Sequence, residues 1–337
     1  MRAAIIGAGR MGRRYIQIIQ KSRLQLTGVA DLMTEALKLC QLENSLSDDL
    51  LFANLESLFL VAKPEVLIIA TTADSHCSLT CMAAKLGVKY ILVEKPLAVS
   101  LGECEMMINV CENYGAQLSV NHQMRFMDQY IKPKALLNSD AYGGFKSMTI
   151  VGGNCGVSMN GTHYIEAFRF MSNEDPLEVT AWFDPGIVAN PRGARFVDKA
   201  GSMRVTTVSG KCLYMQIGSN QGHGLEVVYA GRNGLITVDE LSGKMVSKVR
   251  RTEFKDLPTT RYGMPADITN EMISPVEVID STALVLSALL NDNNRVTAEN
   301  GMSAVKVLVA AYMSAENNSR PVLIDNLLDH NRAFPWA

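Results

Sequence analysis

Two domains in series are predicted by this chain: an α/β domain with a doubly wound parallel sheet over residues 1–121, then an α+β domain with a large, mostly antiparallel sheet over residues 122–337. Three observations predict them. Short apolar strands alternate with helical segments up to about residue 120, which requires a parallel sheet with right-handed crossovers. A glycine-rich turn joins the first strand to the first helix. From Leu177 to Val249 the pattern changes to successive short strands separated by glycine or polar turns.

Ala3–Ile6 is the first strand, and Tyr15, Ile16, Ile18 and Ile19 mark the helix after it. Between them lies Gly7-Ala8-Gly9-Arg10-Met11-Gly12, a G-x-G-x-x-G in its strand–turn–helix context. Gly7 permits the tight turn, Gly9 lets a pyrophosphate approach the backbone, and Gly12 lets helix and strand pack closely. The N–H groups at the start of that helix, around Arg10 and Met11, suit an anion. The second strand, Leu24–Ala30, ends in Asp31, 19 residues after Gly12. A carboxylate at that spacing accepts hydrogen bonds from the adenosine ribose of a dinucleotide and repels a 2′-phosphate. Leu32, Met33 and Thr34 bring no cation, so the expected cofactor of this Rossmann arrangement is NAD, with NADP less favoured.

Glu65–Ala70 is a strongly apolar third strand, as a buried parallel strand should be. It ends in Thr71-Thr72-Ala73-Asp74-Ser75-His76, with Asp74 or Ser75 the expected cap of a helix reaching about Leu86. The fourth strand, Lys89–Val93, stops at Glu94-Lys95-Pro96, where proline removes a donor and restrains Lys95 towards an extended conformation. Ligands of open α/β sheets gather outside the carboxyl ends of the strands. Thr71 and Lys95 stand at that edge; the competing reading of Lys95 is a salt-bridged surface turn. A helix over Leu101–Tyr114 and a fifth strand over Gln117–Val120, ending at Asn121, complete the domain.

The second domain opens with a linking helix bearing Tyr130, Ile131, Leu136 and Leu137, a turn over Asp140–Gly144 and a strand over Phe145–Val151. A polar, glycine-rich loop, Gly152–Gly161, leads to a helix with Thr162 as its expected cap, His163 in its first turn and Glu166 on the same face. Six strands follow between Leu177 and Val249, with hairpin signals at Gly210-Lys211 and Arg232-Asn233-Gly234. Arg192 and Arg195 lie in a loop that suits either solvent or an anionic substrate group. The polar segment Arg251–Asp267 is expected to cross the mouth of a cleft. Helices over Ser274–Leu290 and about Ala298–Ala315 close the chain, the last able to pack back on the first domain.

Of 337 residues, 47% are hydrophobic and 20% charged, with a net charge of −2, which argues against nucleic acid or an anionic membrane as partner. No apolar run approaches the roughly 20 residues a membrane span needs. Arg10, Arg13 and Arg14 follow the N-terminal apolar run too soon for a signal peptide, so a cytoplasmic setting is expected. Seven cysteines without C-x-x-C spacing read as buried thiols, and five scattered histidines give no metal-binding pattern.

Taken in order, the glycine motif Gly7/Gly9/Gly12, Asp31, the Thr71–His76 segment, Glu94-Lys95-Pro96 and Asn121-x-x-x-Arg125-Phe126 resemble the glucose–fructose oxidoreductase / inositol dehydrogenase (Gfo/Idh/MocA) family. The E-K-P triplet is the most specific element, and the likeness fades after about residue 175. The resemblance implies an NAD-dependent oxidoreductase moving hydride between nicotinamide and a secondary alcohol or ketone of a sugar, cyclitol or sugar derivative. Lys95 and His163 would handle the proton; a lysine partly desolvated beside the ring would have its affinity for protons lowered. The expected cofactor contacts are Gly7, Gly9, Arg10, Met11, Gly12, Asp31, Thr71, Thr72, His76, Glu94, Lys95 and Asn121. Arg125, Asn154 and Tyr164 are expected substrate contacts, His122 a further residue able to line the cleft, and His223 a turn residue. No metal is implied. The family's antiparallel sheet makes the subunit interface, which implies a homodimer or homotetramer. Gly161 and His163 match the family's G-x-H-x-x-D, with Glu166 in place of the aspartate. Met159 departs further, standing where many members carry an aspartate four residues before the histidine. That departure leaves two alternatives: redox-assisted elimination, including glycoside cleavage, with retained NAD, and an NAD-binding sensor or scaffold without catalysis.

Overall fold

A computed structural model describes residues 1–153, 155–218, 224–258, 263–274, 277–327 and 330–336. The chain divides into two compact units, and the border between them is crossed several times.

The first unit contains β1 (Arg2–Ile6), α1 (Arg10–Gln20), β2 (Gln25–Ala30), α2 (Thr34–Asn44), β3 (Leu51–Phe52), α3 (Leu55–Ala62), β4 (Val66–Ile69), α4 (His76–Lys85), β5 (Tyr90–Val93), α5 (Leu101–Tyr114) and β6 (Gln117–Val120). Its sheet has the order β3-β2-β1-β4-β5-β6 with every pair parallel, the doubly wound arrangement that the alternation predicts. The four side chains of β4 are completely buried, each worth up to about 1.5–3 kcal/mol of transfer free energy. The strand order reverses between β1 and β4, so the switch point lies between the ends that carry Gly7 and Thr71. The edge strand β3 is not legible in the sequence: two residues cannot establish a period.

The start of α4 differs from expectation. No side chain caps α4; a 3₁₀ turn over Ala73–Ser75 feeds directly into it, and Ser75 Oγ donates instead towards Thr71 and the Thr72 carbonyl. α5 is capped by Ser100, whose Oγ accepts from the Glu103 N–H. Burial pushes the thiols of Cys77 on α4 and Cys111 on α5 up to about 12, so both stay protonated and unreactive near neutrality.

The expected division at residues 121/122 needs a correction. Met1–Gln123 shares its unit with Glu277–Val305 and Asp329–Ala337. The buried stripe of α8 (Val278–Asn291), including Val285, Leu286 and Leu289, lies against α1, β5 and β6. The tail is fastened as well: Phe334 N donates to the Val99 carbonyl, Gly102 N to the His330 carbonyl, and the Phe334 and Trp336 rings stack 4.7 Å apart. A helical stripe records that a helix is buried, not which surface buries it.

The second unit comprises Met124–Val276 and Lys306–Leu328, so the border falls inside α9 (Ala298–Glu316). It holds α6 (Asp128–Leu137), β7 (Phe145–Gly153), α7 (Thr162–Ser172), β8 (Glu178–Val188), β9 (Asp198–Thr206), β10 (Cys212–Gly218), β11 (Leu225–Gly231), β12 (Gly234–Asp239), β13 (Lys244–Arg250), β14 (Ala266–Met272) and β15 (Val322–Leu323). The nine strands run in the order β14-β13-β12-β11-β7-β10-β9-β8-β15. Only β7 and β10 pair in parallel among the described strands, so the sheet is mostly antiparallel, as predicted.

One sheet face is core. Met148, Ile150, Val227, Tyr229, Ile236 and Val238 are buried on it, where α6 meets β11 and β12 and α7 meets β7. The other face carries Trp182, Ser202, Gln216 and Val151 in one cross-strand row, with Tyr214 and Leu235 on the same side. Trp182 is 53% exposed and Tyr214 42%. β14 replaces part of the polar segment expected to cross a cleft, and residues 259–262 of that segment lie outside the described ones. Its signal is weak because an edge strand wet on both faces needs no apolar alternation.

Thr162 is not a cap. A π-helical turn over Val157–Gly161 runs straight into α7, so Thr162 is already helical, and its Oγ1 is buried without a hydrogen-bond partner among the described residues.

Candidate functional site

The three motif glycines of the first unit are required for different reasons. Gly7 has φ +102°, and a Cβ there would lie 2.7 Å from the Ala70 backbone. A Cβ on Gly12 would lie 1.8 Å from the Gly7 carbonyl oxygen. At Gly9 φ is an ordinary −67° and a Cβ would meet nothing within 4 Å. No protein neighbour needs glycine there, whereas a pyrophosphate lying on the turn would. α1 starts at Gly9 with no side-chain cap and no acid in its first turn, which leaves first-turn N–H groups for an anion.

Asp31 stands beside this turn. Its Oδ2 accepts the Ala8 N–H at 2.7 Å and its Oδ1 the Met33 N–H at 2.8 Å. The carboxylate is thus held at the end of β2 by two backbone donors. Arg10 is exposed, and Met11 is half-buried with its sulfur 3.5 Å from Arg14 Nη1.

The turn after β5 is held from below. Glu94 is buried, and its Oε1 accepts from Tyr15 Oη of α1 and from Asn121 Nδ2 after β6, both at 2.8 Å. Burial, reinforced by Glu94, raises the Tyr15 phenol well above its usual range, so it remains a donor at any physiological pH. His76 is fully buried, with Nδ1 3.0 Å from the Pro96 carbonyl oxygen and Nε2 3.3 Å from that of Thr71. Burial lowers its affinity for a proton, so the neutral ring donates through one nitrogen and braces the ends of β4 and β5. Thr71 and Thr72 are half-buried at the end of β4, with Thr72 Oγ1 donating to Asp74. From Ile91 to Leu101 every residue is buried except Lys95. Asn121 Oδ1, also buried, has no hydrogen-bond partner among the described residues. Gly9 with its open side, the free helix start, and the spare acceptor of Asn121 are what a dinucleotide would require of this edge.

In the second unit, His163 is half-exposed between buried neighbours on α7. Glu166 is buried and divided between two arginines: Oε1 accepts from Arg125 Nη2, and Oε2 from Arg169 Nε at 2.8 Å. Arg125 also stacks over the Phe170 ring at 5.5 Å. Tyr164 is buried and donates to Glu240 Oε2 at 2.7 Å, while Tyr130 donates to Oε1. Burial raises the Glu240 carboxyl above its usual range, and the two phenols oppose the shift. His122 is buried, and Arg195 lies over the Phe196 ring at 4.4 Å. Asn154 and His223 lie outside the described residues. No group of metal-binding side chains is present among the described residues, and no helix among them is long and apolar enough to cross a membrane.

Two residues of this architecture escaped the sequence reading. Tyr15 looks like an ordinary core residue of α1, and nothing in the sequence joins it to Glu94. Asp198 carries a faint signal: aspartate is depleted in strands, and here it is the buried first residue of β9.

A parallel sheet, a glycine turn at its switch point and an acid at the end of β2 define a dinucleotide-binding domain. Residues 1–122 match the oxidoreductase family with an NAD-binding Rossmann fold, Gfo/Idh/MocA. The first domain is similar to that family, whose fold binds NAD. Over 144 residues, 42% of this chain, it is 30% identical to the 1-carboxy-3-chloro-3,4-dihydroxycyclo hexa-1,5-diene dehydrogenase of Comamonas testosteroni, covering 36% of that protein. Over 134 residues, 39% of this chain, it is 28% identical to the inositol 2-dehydrogenase/D-chiro-inositol 3-dehydrogenase of Halalkalibacterium halodurans, covering 37% of that one. The match thus spans little more than a third of either relative. In fold the likeness spans nearly the whole chain: an oxidoreductase from Agrobacterium radiobacter, solved with NAD+, L-tartaric acid and magnesium, superposes with a TM-score of 0.80 at 19% identity, covering 97% of this chain and 99% of that one.

Proposed function

We propose that this chain is an NAD-dependent oxidoreductase that moves hydride between nicotinamide and a secondary alcohol or ketone of a sugar, cyclitol or sugar derivative. The observation that carries the reading is Lys95, the one side chain left accessible in the buried run Ile91–Leu101, at the ligand edge of a dinucleotide-binding sheet. Bound NAD supplies the hydride acceptor or donor. The residues proposed to hold it are Gly7, Gly9, Arg10, Met11, Gly12, Asp31, Thr71, Thr72, His76, Glu94, Lys95 and Asn121. Lys95 Nζ donates or receives the hydroxyl proton, and His163 shares that proton transfer. Arg125, Asn154 and Tyr164 are the proposed substrate contacts. The names of the two relatives support a polyhydroxylated ring as substrate. A panel of inositols, sugars and nucleotide-sugars, assayed by NADH absorbance, tests this; no turnover on any class would overturn it.

Cofactor preference offers a separate check. Asp31→Ala is expected to narrow the preference for NAD over NADP by about tenfold or more, because one carboxylate–ribose contact and the repulsion of a 2′-phosphate both disappear. The same variant loses an acceptor for the Ala8 N–H, so NAD itself binds more weakly. An unaltered NAD/NADP ratio would remove Asp31 from the site.

Met159 keeps a second reading in view, elimination assisted by retained NAD. It is distinguished by product formation without net NADH and by cofactor that survives purification; complete NAD occupancy with no turnover would instead mark a sensor or scaffold.

The exposed sheet face around Trp182, Tyr214 and Val151 is proposed as the contact between copies in a homodimer or homotetramer, with Tyr214→Glu expected to yield monomer. Light scattering that finds a monomeric parent chain would refute this. A cytoplasmic setting belongs to the same reading: all seven cysteines are unbridged and buried. Fractionation that places the chain in an oxidising compartment would contradict it.

A further inference from the structure

We propose that Asp198, a buried residue of β9, is the positioning residue of the His163 helix; the proposal rests on the reading of His163 as a proton-transfer group. The sequence places methionine at residue 159, one helical turn ahead of His163, and no side chain of that turn carries a charge. The carboxylate comes from a different strand. Asp198 Oδ1 accepts the Ser158 N–H at 2.8 Å and the Ser158 hydroxyl at 2.6 Å, and Oδ2 accepts the Met159 N–H at 2.9 Å.

These three donors meet the carboxylate at the start of the π-helical turn Val157–Gly161, which continues without a break into α7. The turn has no cap of its own: Gly156 precedes it and contributes no side chain. Asp198 therefore does from outside the element what an N-cap side chain does from within, occupying N–H groups that the helical ladder leaves open. A π turn is wider than an α turn, so its retention sets the rotation of every residue after it, His163 included.

Gly156 fits the same arrangement. Its φ of −107° is open to any residue. A Cβ there would nevertheless lie 2.0 Å from Asp198 Oδ2 and 2.8 Å from Oδ1. Glycine at 156 is thus demanded by the carboxylate and not by its own backbone conformation.

The experiment compares Asp198→Asn, Gly156→Ala, Gly156→Ala/Asp198→Ala and His163→Ala. Asparagine can present an oxygen to only one side of the turn, and its amide opposes the N–H on the other. Asp198→Asn should lower kcat about ten- to hundredfold, with KM for the sugar within about threefold and NADH affinity unchanged. The imidazole proton signal of His163 should titrate at a displaced pH in Asp198→Asn, and the kcat–pH profile should move with it. Gly156→Ala should reproduce the defect, and combining it with Asp198→Ala should cost less than the two changes added, since the clash is with the carboxylate. Wild-type kcat per folded molecule in Asp198→Asn, an unmoved His163 titration, or strict additivity in the double variant overturns the inference. Full turnover in His163→Ala overturns the reading of His163 and the inference with it, whereas an inactive His163→Ala beside a fully active Asp198→Asn overturns the inference alone.

Discussion

Lys95→Met is expected to lower kcat by about a hundred- to ten-thousandfold while NADH affinity stays within about twofold. Methionine keeps the length and apolar stem of the side chain, so the change isolates the ammonium group. The turn itself does not depend on that group. Glu94 beneath it is held by Tyr15 and Asn121, and His76 braces the Pro96 carbonyl. In the proposed site, NADH is held mainly by the glycine turn and Asp31, at the ends of other strands. Fluorescence titration with NADH and steady-state turnover on an accepted sugar separate the two effects. Turnover equal to wild type would exclude Lys95 from proton transfer, and loss of both binding and turnover would mean that its ammonium group is a major cofactor contact, which leaves proton transfer without support.

Gly12→Ala is expected to remove measurable NADH binding and to destabilise the first unit by about 1–3 kcal/mol or more. The added methyl would stand 1.8 Å from the Gly7 carbonyl oxygen. That atom is backbone, so relief requires moving the turn or lifting α1 from the sheet. Either motion breaks the pyrophosphate cradle. Gly9→Ala is the informative partner: its methyl meets nothing within 4 Å, so the melting temperature should hardly change while NADH affinity falls at least about tenfold. Thermal unfolding and NADH titration on both variants give the comparison. Wild-type NADH affinity in Gly9→Ala would mean that no ligand passes over residue 9.

The predicted strands and helices that survive in the structure share one property: each carries its own period. β1, β4 and β5 are mainly apolar runs, α5 is bounded by Ser100 and Gly115, and the strands from β8 to β13 alternate between turn residues. The strands that went unread are β3, β14 and β15, two of them only two residues long and the third wet on both faces. Thr162 as a helix cap failed for a related reason, since a π turn has no sequence signature that distinguishes it from a loop.

The candidate site divides along the same line. Gly7, Gly12, Asp31 and Lys95 were legible because local rules place them: glycine where a side chain cannot fit, an acid at a strand end, a lysine locked before proline. The partners of Glu94, Glu166 and Glu240 were not, because each carboxylate is satisfied by residues far away in the chain, Tyr15 and Asn121, Arg125, and Tyr130 and Tyr164 respectively. Asp198 is a further case, a strand residue whose carboxylate accepts from a turn 40 residues earlier.

By itself the sequence determined the doubly wound sheet, the antiparallel sheet and the dinucleotide edge, since periodicity, glycine sterics and proline are properties of neighbouring residues. Only the tertiary structure decided that α8 and the tail complete the first unit, that Glu166 serves two arginines, and that a carboxylate from β9 stands under Met159. Buried polar groups must find partners, and in a folded chain those partners are selected by distance in space, which no local pattern encodes.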